Sequence, residues 1–282
     1  MAGNRNSGPN GRDMPVTPAV QGPPGIPVLL YHSVGEHPSG WIAPFTVSRA
    51  TLERHLELVV ASGRTPVTVS MLRDGVGGLI PLPSRPVVIT FDDGFADTLT
   101  VAAPVLGRHG VVASVYLTSG FMAGRSPGGD RMLDWSQAHE LAQQGHEIGA
   151  HSVTHPQLDT LSPMDVWRET TVCKQVLEDR LGTAVRSFAY PHGYSSPRVR
   201  QLVAAAGYDS ACAVKNALSS VADPRLSVAR LMLTASTSDD TVHQWLAGGG
   251  ARLGRGDERA ATRAWRTYRR TRSLLTRNRS RP

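Results

Sequence analysis

The sequence predicts an α/β fold, a parallel (β/α) barrel. Three observations carry that expectation. Short apolar runs alternate with helical patterns; most of the runs are continuously apolar, as strands covered on both faces require; and no Gly-x-Gly-x-x-Gly follows the first run, which removes support for an open dinucleotide-binding sheet. Seven or eight such units fit in about 220 residues, and an irregular barrel is preferred over the open sheet.

The strand candidates, in order, are Val28–His32, Thr65–Val69, Val87–Phe91, Val111–Leu117, Glu147–His151, Arg186–Tyr190, Tyr208–Val214 and Val228–Leu233. Helices between them have readable ends. Ser48 precedes the periodic run Leu52, Leu56, Val59, Val60, which stops at Gly63. Ser162-Pro163 with Asp165 resembles a capping box and opens a helix that reaches Gly182; Ser196-Pro197 repeats that start. Trp135 with Leu141 reads as packing around a helix start, Asp97 as an early helix residue favoured by the macrodipole, and Trp167 and Trp245 as core or barrel covering.

One domain over residues 26–247 is expected, flanked by two tails. Residues 1–25 are rich in Pro, Gly and Asn and poor in large apolar side chains, so a disordered segment is expected there. The net charge of +7 is unevenly placed: residues 251–282 carry eleven Arg against Asp257 and Glu258, which leaves 1–250 at a net −2. The basic character therefore belongs to the 248–282 tail, and specific nucleic-acid binding is not expected. Within it, Ala260–Leu275 reads as an Arg-rich helix with Trp265, Tyr268, Leu274 and Leu275 as apolar members, suited to an anionic membrane surface or an acidic partner. Cys173 and Cys212 lack metal or redox spacing and read as reduced core residues. With neither a secretory signal nor a membrane-length apolar stretch in the sequence, a cytoplasmic address is expected, peripheral to a membrane if the tail binds one.

Reactive groups in a parallel barrel sit at the C-terminal ends of strands. Four candidate strands run into such groups: His32 after the first, Asp92-Asp93-Gly94 after Phe91, His151 with His155 after Ala150, and Pro191-His192-Gly193 after Tyr190. Two His spaced His-x-x-x-His plus a carboxylate from another strand make a three-ligand set with open positions, the form a catalytic metal site needs. The intervening Ser152, Val153 and Thr154 include no Glu, so a base must come from elsewhere, and one carboxylate of the Asp92-Asp93 pair can supply it.

The runs Thr90-Phe91-Asp92-Asp93-Gly94, His151-Ser152-Val153-Thr154-His155 and Arg186–Gly193 resemble, in order and spacing, the first three motifs of the polysaccharide deacetylases, carbohydrate esterase family four. Leu29–Val34 and Gly145–Gly149 are similar to the branch that handles bacterial exopolysaccharides. The resemblance covers roughly residues 26–246. It implies a distorted (β/α) barrel of about seven strands, with Asp92 as catalytic base and Asp93, His151 and His155 as metal ligands. It also implies that the motif of Tyr190, Pro191 and Gly193 lines the groove, and that the backbone N–H of His192 helps hold the oxyanion. The implied cofactor is a divalent metal, zinc first, with Fe, Co or Ni compatible with the same ligands.

Two departures from the family pattern stand out. The Arg that orients the base in many members falls at Ala189, and Arg230 is the proposed substitute. The Leu-x-His that supplies their general acid reads Arg230-Leu231-Met232-Leu233, so His32 is the replacement. The expected reaction is hydrolysis of an acetyl group, N-acetyl before O-acetyl, from a sugar or polysaccharide. Alternatives are a non-sugar amide or cyclic imide at the same site, or a decayed site in a carbohydrate-binding protein.

Overall fold

Each run singled out above overlaps a strand; most strands are shorter than their run, and the one over Val87–Phe91 begins a residue earlier, at Pro86. The computed structural model of the chain describes residues 25–254, 264–269 and 271. Among these the strands are β1 (Val28–Tyr31), β2 (Ser33–Val34), β3 (Thr46–Val47), β4 (Thr65–Pro66), β5 (Pro86–Phe91), β6 (Ser114–Leu117), β7 (Glu147–Ala150), β8 (Ser187–Ala189), β9 (Ser210–Val214) and β10 (Val228–Met232). The helices are α1 (Arg49–Ala61), α2 (Val69–Val76), α3 (Ala103–Arg108), α4 (Trp135–Gln143), α5 (Pro163–Leu181), α6 (Pro197–Ala205) and α7 (Asp239–Leu246).

The order β1-β10-β9-β8-β7-β6-β5 is parallel throughout, and β5 pairs back onto β1. The result is a closed barrel of seven parallel strands with helices around it. β4 stays outside the closure, on the first residues of β5. The Thr65–Val69 run stops early because the Thr68 side chain accepts the Met71 N–H and starts α2 at Val69.

Alternation along the strands builds two apolar layers. Val28, Val88, Tyr116, Ala189, Cys212 and Val228 share the barrel interior with Val69 and Leu72, so α2 plugs the N-terminal mouth. Leu29, Ile89, Val115, Phe188, Ala211 and Leu231 face outward, under the helices. The caps at Ser48, Ser162 and Ser196 accept the N–H three residues on, and α5 ends on left-handed Gly182. Both cysteines are free and buried.

Some expectations need correction. The packed region runs past residue 247: Gly254 N–H donates to the Leu218 carbonyl at 2.7 Å, and Arg252 donates to the Lys215 carbonyl at 2.9 Å. Trp167 is 42% exposed on α5, not covered, whereas Trp245 is buried. The expected disorder of residues 1–25 falls, Gly25 excepted, outside the described residues. Of the expected Ala260–Leu275 helix, residues 264–269 and 271 are described, and they are helical. Among the described residues no helix is long and apolar enough to cross a membrane.

Candidate functional site

β5 delivers the two carboxylates. Asp92 N–H donates to the Tyr31 carbonyl at 3.0 Å and so continues the ladder with β1. Asp93 then turns left-handed with φ of 73°, and Gly94 follows at 89°, where a Cβ would lie 2.9 Å from Leu117 Cδ2. The Asp-Asp-Gly turn therefore separates two adjacent carboxyl groups and gives them different partners.

Asp92 points at Arg230. Position 230 shares the inward face of β10 with Val228, and the guanidinium lies fully buried over the Tyr116 ring, 5.7 Å from its centroid. Its Nη1 and Nη2 donate to the two Asp92 oxygens at 2.7 and 2.8 Å, and Nη1 also reaches Thr90 Oγ1 at 3.3 Å. Burial pushes the Asp92 carboxyl up, but the charges of Arg230 and His151 outweigh it and the group stays below the usual carboxylate range. An ionised carboxylate held by a bidentate cation is fixed in direction and in charge.

Asp93 faces two imidazoles. His151, one residue past β7, donates from Nδ1 to the Ala189 carbonyl at 2.8 Å. In the neutral ring that bond leaves Nε2 without a proton and free to ligate. His151 Nε2 lies 3.4 Å, and His155 Nε2 3.2 Å, from Asp93 Oδ1. The loop between the two His is held by α5, where Glu169 accepts the N–H groups of Val153 and Thr154 at 2.9 Å each and the Thr154 hydroxyl at 2.7 Å. Nothing in the sequence distinguished Glu169 from the other acidic residues on that helix.

Asp93, His151 and His155 each offer a ligand atom, and all three atoms lie within 4.8 Å of one another. Asp93 Oδ1 is buried, yet it makes no hydrogen bond. A buried acceptor with no donor, facing two imidazole nitrogens, is the arrangement that a shared cation completes. Burial raises the Asp93 carboxyl, but the two His hold it well below its ordinary value, so the negative charge is retained.

His32 follows β1 on the same rim. Its ring packs against Phe45 at 5.3 Å, and its buried Nδ1 has no hydrogen-bond partner. Burial pushes its pKa down, against the pull of Asp93 and Asp92. The third run forms a tight turn: Gly193 N–H donates to Tyr190 and Tyr194 N–H to Pro191, and the His192 N–H takes no part in these bonds. His192 is left-handed, and at Gly193 a Cβ would lie 2.4 Å from Val214 Cβ. The His192 ring lies 4.6 Å from that of His155, tilted by 57°, with its pKa lowered to about 4 by desolvation and by its His neighbours.

One expected groove residue does not line the groove. The Tyr190 side chain is fully buried, its ring lies 5.5 Å from that of Phe188, and its hydroxyl donates to the Leu226 carbonyl at 3.0 Å. It follows a strand whose outward residues serve the core, and it continues that layer. Asp97 stands at the start of the helical turn Thr98–Ala102, and its side chain, without a cap hydrogen bond, accepts the Ser33 hydroxyl at 2.5 Å. The expectation also missed Asp159, in the turn Leu158–Thr160 beyond His155, which pairs with Arg269 at 2.7 Å.

Comparisons with known proteins match this geometry to a family. The polysaccharide deacetylase profile matches residues 80–211, which include Asp92, Asp93, His151, His155 and the 186–193 run. YxkH of Bacillus subtilis is 28% identical over 193 residues, covering 66% of this chain and 63% of that one. The peptidoglycan-N-acetylglucosamine deacetylase PgdA of Listeria monocytogenes is 27% identical over 119 residues, 42% of this chain and 24% of that one. The chain thus spans less than two thirds of either relative. Among solved structures, the Streptococcus pyogenes deacetylase PplD in complex with acetate aligns with a TM-score of 0.71 at 24% identity, over 79% of this chain and 98% of that one. That likeness shows a shared fold. The motif order, the barrel and the profile match agree: residues 80–211, which hold the candidate ligands, match the polysaccharide deacetylase family.

Proposed function

We propose that the chain is a metal-dependent hydrolase that removes an acetyl group, N-acetyl in preference to O-acetyl, from a carbohydrate polymer. The observation that carries the reading is the division of labour between adjacent carboxylates: Asp92 held by Arg230, and Asp93 turned toward His151 and His155 with an unsatisfied oxygen. Zinc suits two His and one carboxylate, and Fe, Co or Ni are compatible with the same set. When bound, such a cation supplies a Lewis acid that acidifies water at its open positions.

The remaining roles belong to the chain itself. Asp92, ionised and fixed by Arg230, accepts the proton of the attacking water. In this reading the His192 N–H donates to the developing oxyanion, and the close approach of Gly193 to Val214 supports a fixed turn there. His32 supplies the proton that the departing nitrogen needs. Substrate of the N-acetyl glycan type is supported by the peptidoglycan-N-acetylglucosamine deacetylase activity of PgdA, and the Leu29–Val34 run favours a bacterial exopolysaccharide.

The test is metal analysis of the purified chain followed by acetate release from a panel of acetylated glycans, with cyclic imides run beside them. Bound metal with acetate release from glycans alone is the expected result. Turnover of imides with none of glycans would move the reading to non-sugar amides, and no turnover at all would favour a decayed binding protein.

A further inference from the structure

The described part of the Arg-rich tail does not stand free in solvent. Residues 264–269 form a helical turn anchored on the catalytic rim. Arg269 Nη1 and Nη2 donate to the two Asp159 oxygens at 2.7 Å each, and this pair is nearly closed to solvent, with side chains 7% and 2% exposed. The Arg269 guanidinium also covers the Tyr194 ring at 3.7 Å, and Trp265 Nε1 donates to the Tyr194 hydroxyl at 3.4 Å. Both anchors belong to loops that frame the site. Asp159 lies four residues beyond His155, and Tyr194 directly follows Gly193. The Tyr194 ring stacks 6.5 Å from that of His192, itself 4.6 Å from that of His155.

What this turn presents outward is aromatic. Trp265 and Tyr268, three apart on a helix, stack at 5.1 Å with an interplanar angle of 22°. They remain 48% and 52% exposed. A tail that only needed to be tethered has no use for a buried bidentate pair and two half-exposed, stacked rings beside the candidate site. Flat aromatic faces held rigidly at a groove suit the apolar faces of pyranose rings, while polar groups nearby read the hydroxyls.

We propose that Trp265 and Tyr268 form a sugar-stacking subsite for glycan residues flanking the one that is deacetylated, so that the tail turn makes this enzyme selective for polymer over monomer. The inference rests on the deacetylase reading above. Arg269 is a positioning residue: through Asp159 and Tyr194 it holds the subsite in register with the rim.

Acetate release from chitopentaose by the full chain, compared with the double variant Trp265→Ala/Tyr268→Ala, tests it. The KM for chitopentaose should rise about tenfold, the scale of one or two lost ring contacts, with kcat retained. Trp265→Phe/Tyr268→Phe should recover most of the affinity, and the melting temperatures of all three proteins should agree. Arg269→Ala should give the same rise in KM without touching either ring. An unchanged KM in the alanine variant would overturn the subsite, and so would faster turnover, which would make the turn a cover over the groove. Failure of the unaltered chain to release acetate from chitopentaose and from every other glycan of the panel would instead sink the deacetylase reading, and the subsite with it.

Discussion

The two ends of the barrel solve the same problem, buried charge, in opposite ways. At the N-terminal end Arg64 is closed to solvent and donates to three carbonyls, those of Leu246, Pro86 and Gly25, at 2.6, 2.9 and 3.2 Å. Glu147, at the start of β7, accepts the hydroxyls of Ser70, Ser114 and Ser187 at 2.5, 2.6 and 2.7 Å. At the C-terminal rim Asp93 Oδ1 and His32 Nδ1 are buried without partners. Of the six described non-glycine residues with positive φ, four sit on that rim: Asp93, Ser152, His155 and His192. Each such conformation costs on the order of 1–3 kcal/mol. At the N-terminal end these two charges are held by full sets of partners, whereas the rim, beside the paired Asp92 and Arg230, concentrates left-handed backbone and keeps unpaired ligand-type atoms that a ligand can use.

Ways to break that contrast begin with its most extreme member. Asp93→Ala or His155→Ala should abolish both bound metal and acetate release and lower the melting temperature by at most a few degrees: Ala keeps the left-handed backbone strain, while Asp93→Ala removes a buried oxygen without a partner. Metal content by mass spectrometry and a thermal melt check it; full occupancy in either variant would sink the ligand assignment. Asp92→Asn should keep the metal and lower kcat by about 10²–10⁴, the usual range for a general base. Near-normal turnover would place the base elsewhere.

His32→Ala comes next. It should keep the fold and the metal and lose about two orders of magnitude on amide substrates, with activated aryl acetates losing much less because their leaving group departs without a proton. Equal losses on both would reduce His32 to shaping the site. At the opposite end Glu147→Leu should leave kcat alone. It removes the acceptor of three serine hydroxyls, two of them, on Ser114 and Ser187, fully buried and each costing about 1–3 kcal/mol to leave unpaired, so the melt should fall. A stable variant with altered kcat would erase the distinction between the two ends.

The rim was far more legible than the tail. Asp92, Asp93, His151 and His155 could be found because strand ends, turn residues and ligand types coincide within a few positions, so the signal is local. Arg230 was suggested by a charge inside an apolar strand, which demands a partner; its bond to Asp92, 138 residues away in sequence, is visible only in the fold. Tyr190 was misplaced because a motif shared with a groove says nothing about which way one side chain turns, and here the core claims the ring and Leu226 the hydroxyl. Glu169 and the Asp159–Arg269 pair went unseen because acidic residues on helices and arginines in a basic run are ordinary solvated charges until tertiary structure removes the solvent. Trp167 shows the converse error: a large ring on an amphipathic helix is left half in water.

The smallest effect separates strain from function within the rim itself. Asp97 begins the helical turn after Asp93, and burial pushes its carboxyl up to about 6 despite the hydrogen bond from Ser33. A folded-state pKa above the unfolded value means that between about pH 4 and 6 the folded chain keeps a proton that the unfolded chain has released. Stability must therefore fall as pH rises through that window and stay reduced above it. Two pH units set an upper bound of about 3 kcal/mol, and partial solvent access lowers the expectation to about 1–2 kcal/mol. Asp97→Asn keeps an acceptor for the Ser33 hydroxyl and removes the titration. At pH 7.5 it should raise the melting temperature by about 2–6 °C, and at pH 4 the two proteins should melt together. An equal rise at both pH values would mean that the amide simply packs better. A fall at pH 7.5 would mean that Asp97 is ionised in the folded chain and stabilised by its charge, and the carboxyl would then belong with Asp92 among the held anions of the rim.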